Sequence, residues 1–168
     1  QEKWNYSAEE MEQIKVAGET IRKLKENVRF TKTDQVIITD NAVQHIKDDI
    51  LYMNGNTIMI NGLDTLTCDS MVYWSELDSG YAMGNVHYVQ PENSRRLTTE
   101  IFHYWQTEGF RGSSFITKGY TRITEPDQLI TANNISYDDD KQTMKLTVNA
   151  SVENPTHGIF GDEIIIQY

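Results

Sequence analysis

Apolar and polar positions alternate along most of the chain with a period of two, and the alternation comes in copies. Gly55-Asn56-Thr57-Ile58-Met59-Ile60 leads into Leu66-Thr67-Cys68-Asp69-Ser70-Met71-Val72-Tyr73. The same order returns as Gly84-Asn85-Val86-His87-Tyr88-Val89 before Leu97 to Tyr104, and as Gly119 to Thr124 before Ile130 to Tyr137. Further copies begin upstream at Glu26 and downstream at Val148, so the starts fall at 26, 55, 84, 119 and 148, with steps of 29 except for one of 35. Val16 to Ile21 resembles Ile159 to Ile164 and extends the repeat toward the N-terminus as a half copy. A fixed period of this kind marks a structure built by stacking one small unit.

Within each copy the period of two is that of half-buried strands. One inward column reads Val28, Thr57, Val86, Thr121, Ala150; the next reads Phe30, Met59, Tyr88, Ile123, Val152. The following segment gives Ile37, Leu66, Leu97, Ile130, Ile159, then Thr39, Cys68, Thr99, Ala132, Gly161. After that the apolar phase slips by one, to Ala42, Met71, Phe102, Ile135 and Ile164. A slip of one residue would turn every side chain to the other face, so a bulge or corner is predicted at Asp40, Asp69, Glu100, Asn133 and Asp162. Leu51, Met53, Ala82, Phe115, Thr117, Met144 and Leu146 supply the returning strands. Turn residues such as Asn61-Gly62, Pro91-Glu92-Asn93, Pro126-Asp127 and Asp138-Asp139-Asp140 separate the segments. Helix signals are scarce. Ser7 with Glu10 forms a capping-box pattern that predicts a short helix to about Gln13, and the repeat makes Gln13 to Ala17 a first strand.

These patterns predict an all-β, repeat-built antiparallel jellyroll or half-open sandwich. It forms a single domain over residues 1–168, with residues 1–12 as an N-terminal appendage. Its inward columns form one continuous apolar trough, and its terminal units leave strand edges that can pair with another chain.

Composition narrows the function. The chain has 168 residues and a net charge of −10, with Arg95-Arg96 its only adjacent arginines, so it repels phosphate backbones and is not expected to bind nucleic acid. No apolar stretch approaches the ~18 residues of a membrane-spanning helix. The single cysteine, Cys68, cannot form an internal disulfide. Because the sequence opens on Gln1, a removed secretory signal is expected.

Candidate chemistry is thin. His45, His87, His103 and His157 lie too far apart for a local metal motif. Asp138-Asp139-Asp140 lacks the spacing of a calcium loop and reads as a hairpin turn. Cys68 has no partner base and shares its column with small residues, so it reads as a small buried side chain. Asp69 and Glu100 are a conceivable pair of glycosidase carboxylates, yet Asp40 and Asp162 fill the same slot, as a structural corner would. Tyr73, Tyr104 and Tyr137 recur in register and read as an aromatic ladder. No phosphate-cradling loop or nucleophile elbow is present, so no catalytic residue, cofactor or metal is assigned.

Asp64 to Tyr73, followed by Ala82-Met83-Gly84-Asn85-Val86-His87, resembles the repeat signature of the OstA-like family. That family includes the LptA-type lipopolysaccharide-transport proteins, the N-terminal domain of LptD and the related LptC fold. The pattern is similar in particular to OstA-like proteins of Bacteroidetes-type bacteria, and the resemblance runs from about Ile14 to Tyr168. It implies a twisted, V-shaped jellyroll without enzymatic activity. Such a protein is periplasmic, holds the acyl chains of lipid A inside and pairs head to tail through edge strands with itself or other transport proteins. On that reading Phe30, Met59, Leu66, Met71, Tyr88, Leu97, Phe102, Ile123 and Ile135 line the lipid groove. Two departures stand out: the copy at Gly119-Tyr120 lacks the Gly-Asn pair, and its step is the longer one, which suggests a bulged or open unit. The net charge is also awkward for an anionic lipid. A self-assembling module with a closed core and no lipid is the alternative, and a carbohydrate-active enzyme using the corner carboxylates is a third reading.

Overall fold

The computed structural model describes residues 3–106 and 113–168. Gln1, on which the processing expectation turns, lies outside them. Among the described residues, fourteen strands form one antiparallel sheet. In chain order these are β1 (Asn5–Ser7), β2 (Glu10–Val16), β3 (Glu19–Lys32), β4 (Gln35–His45), β5 (Ile50–Asn61), β6 (Asp64–Trp74) and β7 (Ser79–Gln90). There follow β8 (Arg95–Gln106), β9 (Ser113–Lys118), β10 (Thr121–Thr124), β11 (Leu129–Ala132), β12 (Asn134–Asp138), β13 (Thr143–Glu153) and β14 (Gly158–Gln167). A 3₁₀ turn, Pro91–Asn93, joins β7 to β8. Strands β3 to β8 lie side by side in chain order, the outcome of joining long segments by short turns.

The 29-residue unit is a pair of long strands, each bent near its middle. Bends fall where two residues oppose one: residues 26–27 face Asp40, 55–56 face Asp69, 84–85 face Glu100, and 148–149 face Asp162. Both residues of each bulge have positive φ, for example Gly84 at +76° and Asn85 at +47°. The extra residue thus sits on the strand that opens the copy, across from the corner carboxylate. Gly meets that requirement without a Cβ penalty, and Asn tolerates it better than most residues. Asp40 and Asp69 each accept a hydrogen bond from the bulge asparagine of the next strand, Asn56 and Asn85, at 2.8 Å. That bond pins these two corners and accounts for the carboxylate at Asp40 and Asp69.

In the copy that starts at Gly119 the bend becomes a break. β9 stops at Lys118, before Gly119, and β10 starts at Thr121, while Asn133 separates β11 from β12. Beyond β8, therefore, each place in the ladder is filled by two short strands: β9 with β10, then β11 with β12, before β13 and β14. Part of the longer step lies in the Pro91–Ser94 connection; residues 107–112, where more of it falls, lie outside the described residues.

Folding along the line of bulges brings two half-sheets face to face. Phe30, Ile37, Met59, Leu66, Leu97, Ile123 and Ile130 come from one half; Leu51, Met71, Tyr73, Phe102, Ile135, Met144 and Leu146 come from the other, and all are buried. Each such side chain contributes about 1.5–3 kcal/mol when fully removed from water. At the hinge, Thr39 and Thr57 approach to 3.0 Å and Thr99 and Thr121 to 2.9 Å, with Thr39 Oγ1 also 3.0 Å from the Gly55 carbonyl. These buried hydroxyls satisfy one another and the carbonyls that the bulges remove from the ladder.

Three expectations require correction. The capping-box pattern at Ser7 does not open a helix. Glu10–Val16 is β2, which forms a seven-pair hairpin with β3 through the Ala17-Gly18 turn, both of whose residues have positive φ. A helix of one or two turns cannot offset its own nucleation, whereas the hairpin extends an existing sheet. The half copy at Val16 to Ile21 crosses that turn, while Ile159 to Ile164 lies within one strand, so the two are not equivalent. Finally, the column of Ile37, Leu66, Leu97 and Ile130 ends exposed at β14: Ile159 is 61% accessible, whereas Ile164 in the neighbouring column still packs against the core.

Candidate functional site

Between the half-sheets, near the middle of the ladder, lies a cavity of about 420 Å³. Its apolar floor comes from both halves: Met59 and Leu66 from β5 and β6, and Phe102, Tyr104 and Phe115 from β8 and β9. These residues share the cavity because strand alternation points them inward and the bulges fold one half over the other. The aromatic rings form a run, with Tyr88 and Phe102 at 5.4 Å, Phe102 and Phe115 at 5.3 Å, and Phe115 and Tyr137 at 5.4 Å between centroids. The Tyr104 hydroxyl reaches across the gap to the Met59 sulfur at 3.1 Å. Burial holds the Tyr104 phenol well above its ordinary range, and burial together with Asp64 does the same for Tyr88, so both stay neutral.

The rim is polar. Asp64 accepts from the Tyr88 hydroxyl at 2.7 Å and from the Gln90 amide at 3.3 Å. Arg95 is paired with Glu125, through Nη2 at 2.6 Å and Nε at 2.7 Å, and lies 5.4 Å from the centre of the Tyr168 ring. On the facing half, Asp139 accepts from Tyr137 at 3.2 Å and from Gln142 at 3.1 Å. Asn61, Asn93 and Gln106 add neutral amides. An apolar floor below a rim of hydrogen-bonding groups suits an amphiphile whose chains enter first.

Toward the N-terminus the space between the halves is filled. Trp4 is buried edge-on against Phe30 (6.4 Å) and Tyr73 (6.1 Å), and its indole donates to Ser75 Oγ at 2.8 Å. All nine residues expected to line the trough lie on the inward face, but they divide. Met59, Leu66, Tyr88 and Phe102 border the cavity. Phe30 packs on Trp4, and Met71, Leu97, Ile123 and Ile135 are sealed in the packed interior. The alternation missed Phe115 and the polar rim as site residues, because rim positions fall in turns and strand ends that carry no repeat signal. Tyr104 and Tyr137 belong to the recurring aromatic ladder, which offered the clue. Trp4 lies outside the repeat and carried none.

Asp69 and Glu100 are exposed and do not border the cavity. Among the described residues no group of three or more His, Cys, Asp or Glu is placed to hold a metal. Burial pushes the Cys68 thiol up to about 12, which removes it as a nucleophile at neutral pH. His103 sits on the outer face with Trp105 (5.3 Å) and Tyr81 (5.7 Å). No helix among the described residues is long and apolar enough to cross a membrane.

Residues 37–168 match the model of one protein family, described as LptA/(LptD N-terminal domain) LPS transport protein. The matched span begins in β4 and runs through β14, and so includes every residue that borders the cavity. No curated protein matches the chain.

Proposed function

The chain belongs to the LptA/LptD N-terminal-domain family of lipopolysaccharide-transport proteins, and from that premise we propose that its interior shelters the acyl chains of lipid A on the way to the outer membrane. The observation that carries this reading is the cavity between the half-sheets, apolar at its floor and hydrogen-bonding at its rim. The family is one of transport domains rather than enzymes, so the work is shielding. Each methylene taken from water contributes about 0.8 kcal/mol, and ten sheltered methylenes about 8 kcal/mol. A cavity of about 420 Å³ lies within the ~300–1,000 Å³ typical of small-ligand pockets. More than one chain therefore requires the half-sheets to spread where the cavity already separates them.

The setting proposed is the periplasm, with the chain acting as one span of a protein bridge. Its two sheet edges support that role. Strands β1 and β2 pair only with β3, and β14 only with β13. The last of these presents exposed Phe160 and Ile165. Unlike edges at opposite ends of a ladder allow head-to-tail joining. The rival reading, an assembly module without lipid, draws on the packed interior around Trp4, Phe30 and Tyr73.

Native mass spectrometry after incubation with lipid A separates the two. The transport reading expects a lipid adduct that Met59→Asp abolishes while the circular dichroism of the sheet is retained. Concentration-dependent oligomers with no adduct at any lipid concentration would overturn it in favour of the module.

A further inference from the structure

Among the described residues, charge at the mouth of the cavity is negative and already hydrogen-bonded. Asp64 on one half-sheet and Asp139 on the other both face the opening, each holding hydrogen bonds from neutral phenol and amide donors. Arg95 is the one cation among the described residues that border the cavity, and Glu125 holds it at 2.6 and 2.7 Å. Among the described residues the mouth therefore offers an incoming anion no unpaired cation, while its neutral amides suit hydroxyl groups. The net charge of −10 adds a longer-range repulsion of the same sign.

We propose that the mouth selects lipids by headgroup charge: it accepts an acylated sugar whose polar groups there are hydroxyls or amines, and it discriminates against phosphate at that position. The inference rests on the reading that acyl chains occupy the interior. A phosphate about 6 Å from a rim carboxylate, in a surface of effective dielectric constant between ~20 and ~80, loses from about threefold to about a hundredfold in affinity for each such pair. A hydroxyl or amine loses nothing of this kind, and an amine gains.

The test is displacement of a fluorescent fatty-acid probe by lipid A and by the same lipid A stripped of its phosphates, in a chelator so that divalent ions cannot bridge. The proposal expects the dephosphorylated lipid to bind at least about tenfold more tightly at low salt. The gap should narrow at high salt and in the Asp64→Asn/Asp139→Asn double variant, and Asp64→Lys should move the preference toward the phosphorylated lipid. Equal affinities, tighter binding of the phosphorylated lipid, or a gap untouched by these variants would overturn the inference while leaving the acyl-chain reading standing. Failure of both lipids to displace the probe would overturn both.

Discussion

Replacing Gly84 with alanine places a methyl group where the fold leaves no room. A Cβ at that position falls 2.4 Å from Asp69 Oδ2 and 3.0 Å from Asp69 Cβ and Cγ, and the backbone holds φ at +76°. An L-residue in the left-handed region costs about 1–2 kcal/mol. Moving the carboxylate away also forfeits its bond to Asn85, a further ~0.5–1.5 kcal/mol. The expected loss is about 2–3 kcal/mol, which for a chain of this length is a fall in Tm of roughly 4–12 °C. Gly119 has nearly the same φ, +88°, but its Cβ would meet Glu100 at 3.4 Å, ordinary contact distance. Gly119→Ala should then cost only the backbone part, about 1–2 kcal/mol. A double-mutant cycle isolates the clash: on an Asp69→Ala background Gly84→Ala should cost about 1 kcal/mol less than on the native one. Urea unfolding of the four proteins reads this out. Equal costs on both backgrounds would refute the claim that corner and bulge are fitted to each other.

Other outcomes follow from single contacts. Trp4→Ala should destabilise by about 3 kcal/mol in urea, as buried aromatic truncations do; a loss under about 1 kcal/mol would mean that the indole does not hold the halves together. His103 has its pKa lowered by burial, so the native state binds fewer protons than the unfolded one near and below pH 6.5. Stability should therefore fall as pH drops below that value, and His103→Gln should flatten the Tm profile there; an unchanged slope contradicts the assignment. Phe160→Lys with Ile165→Lys, on exposed faces of β14, should weaken concentration-dependent association in light scattering without lowering Tm by more than about 2 °C, as expected for surface changes.

The repeat was readable because its inward columns hold one kind of residue at one spacing, and its bends because the phase slips at the same place in every copy. Asp40 and Asp69 marked the corners, although their hydrogen-bond partners, Asn56 and Asn85, lie a strand away. Alternation alone could not separate Leu97 from Leu66. Both point inward, and only the stagger between the half-sheets decides that one is sealed in the core and the other borders the cavity. The N-terminus misled for a related reason. A four-residue capping pattern is local, whereas the ladder that captures Glu10–Val16 depends on where Glu19–Lys25 already lies.

Photocrosslinking tests the central claim most directly. Benzoylphenylalanine placed at Met59 or Phe102, which border the cavity, should capture lipopolysaccharide on irradiation. At Val72 or Tyr52, paired across the outer face of β5 and β6, it should capture none. Adducts at the outer positions, or their absence at both inner ones, would contradict the account.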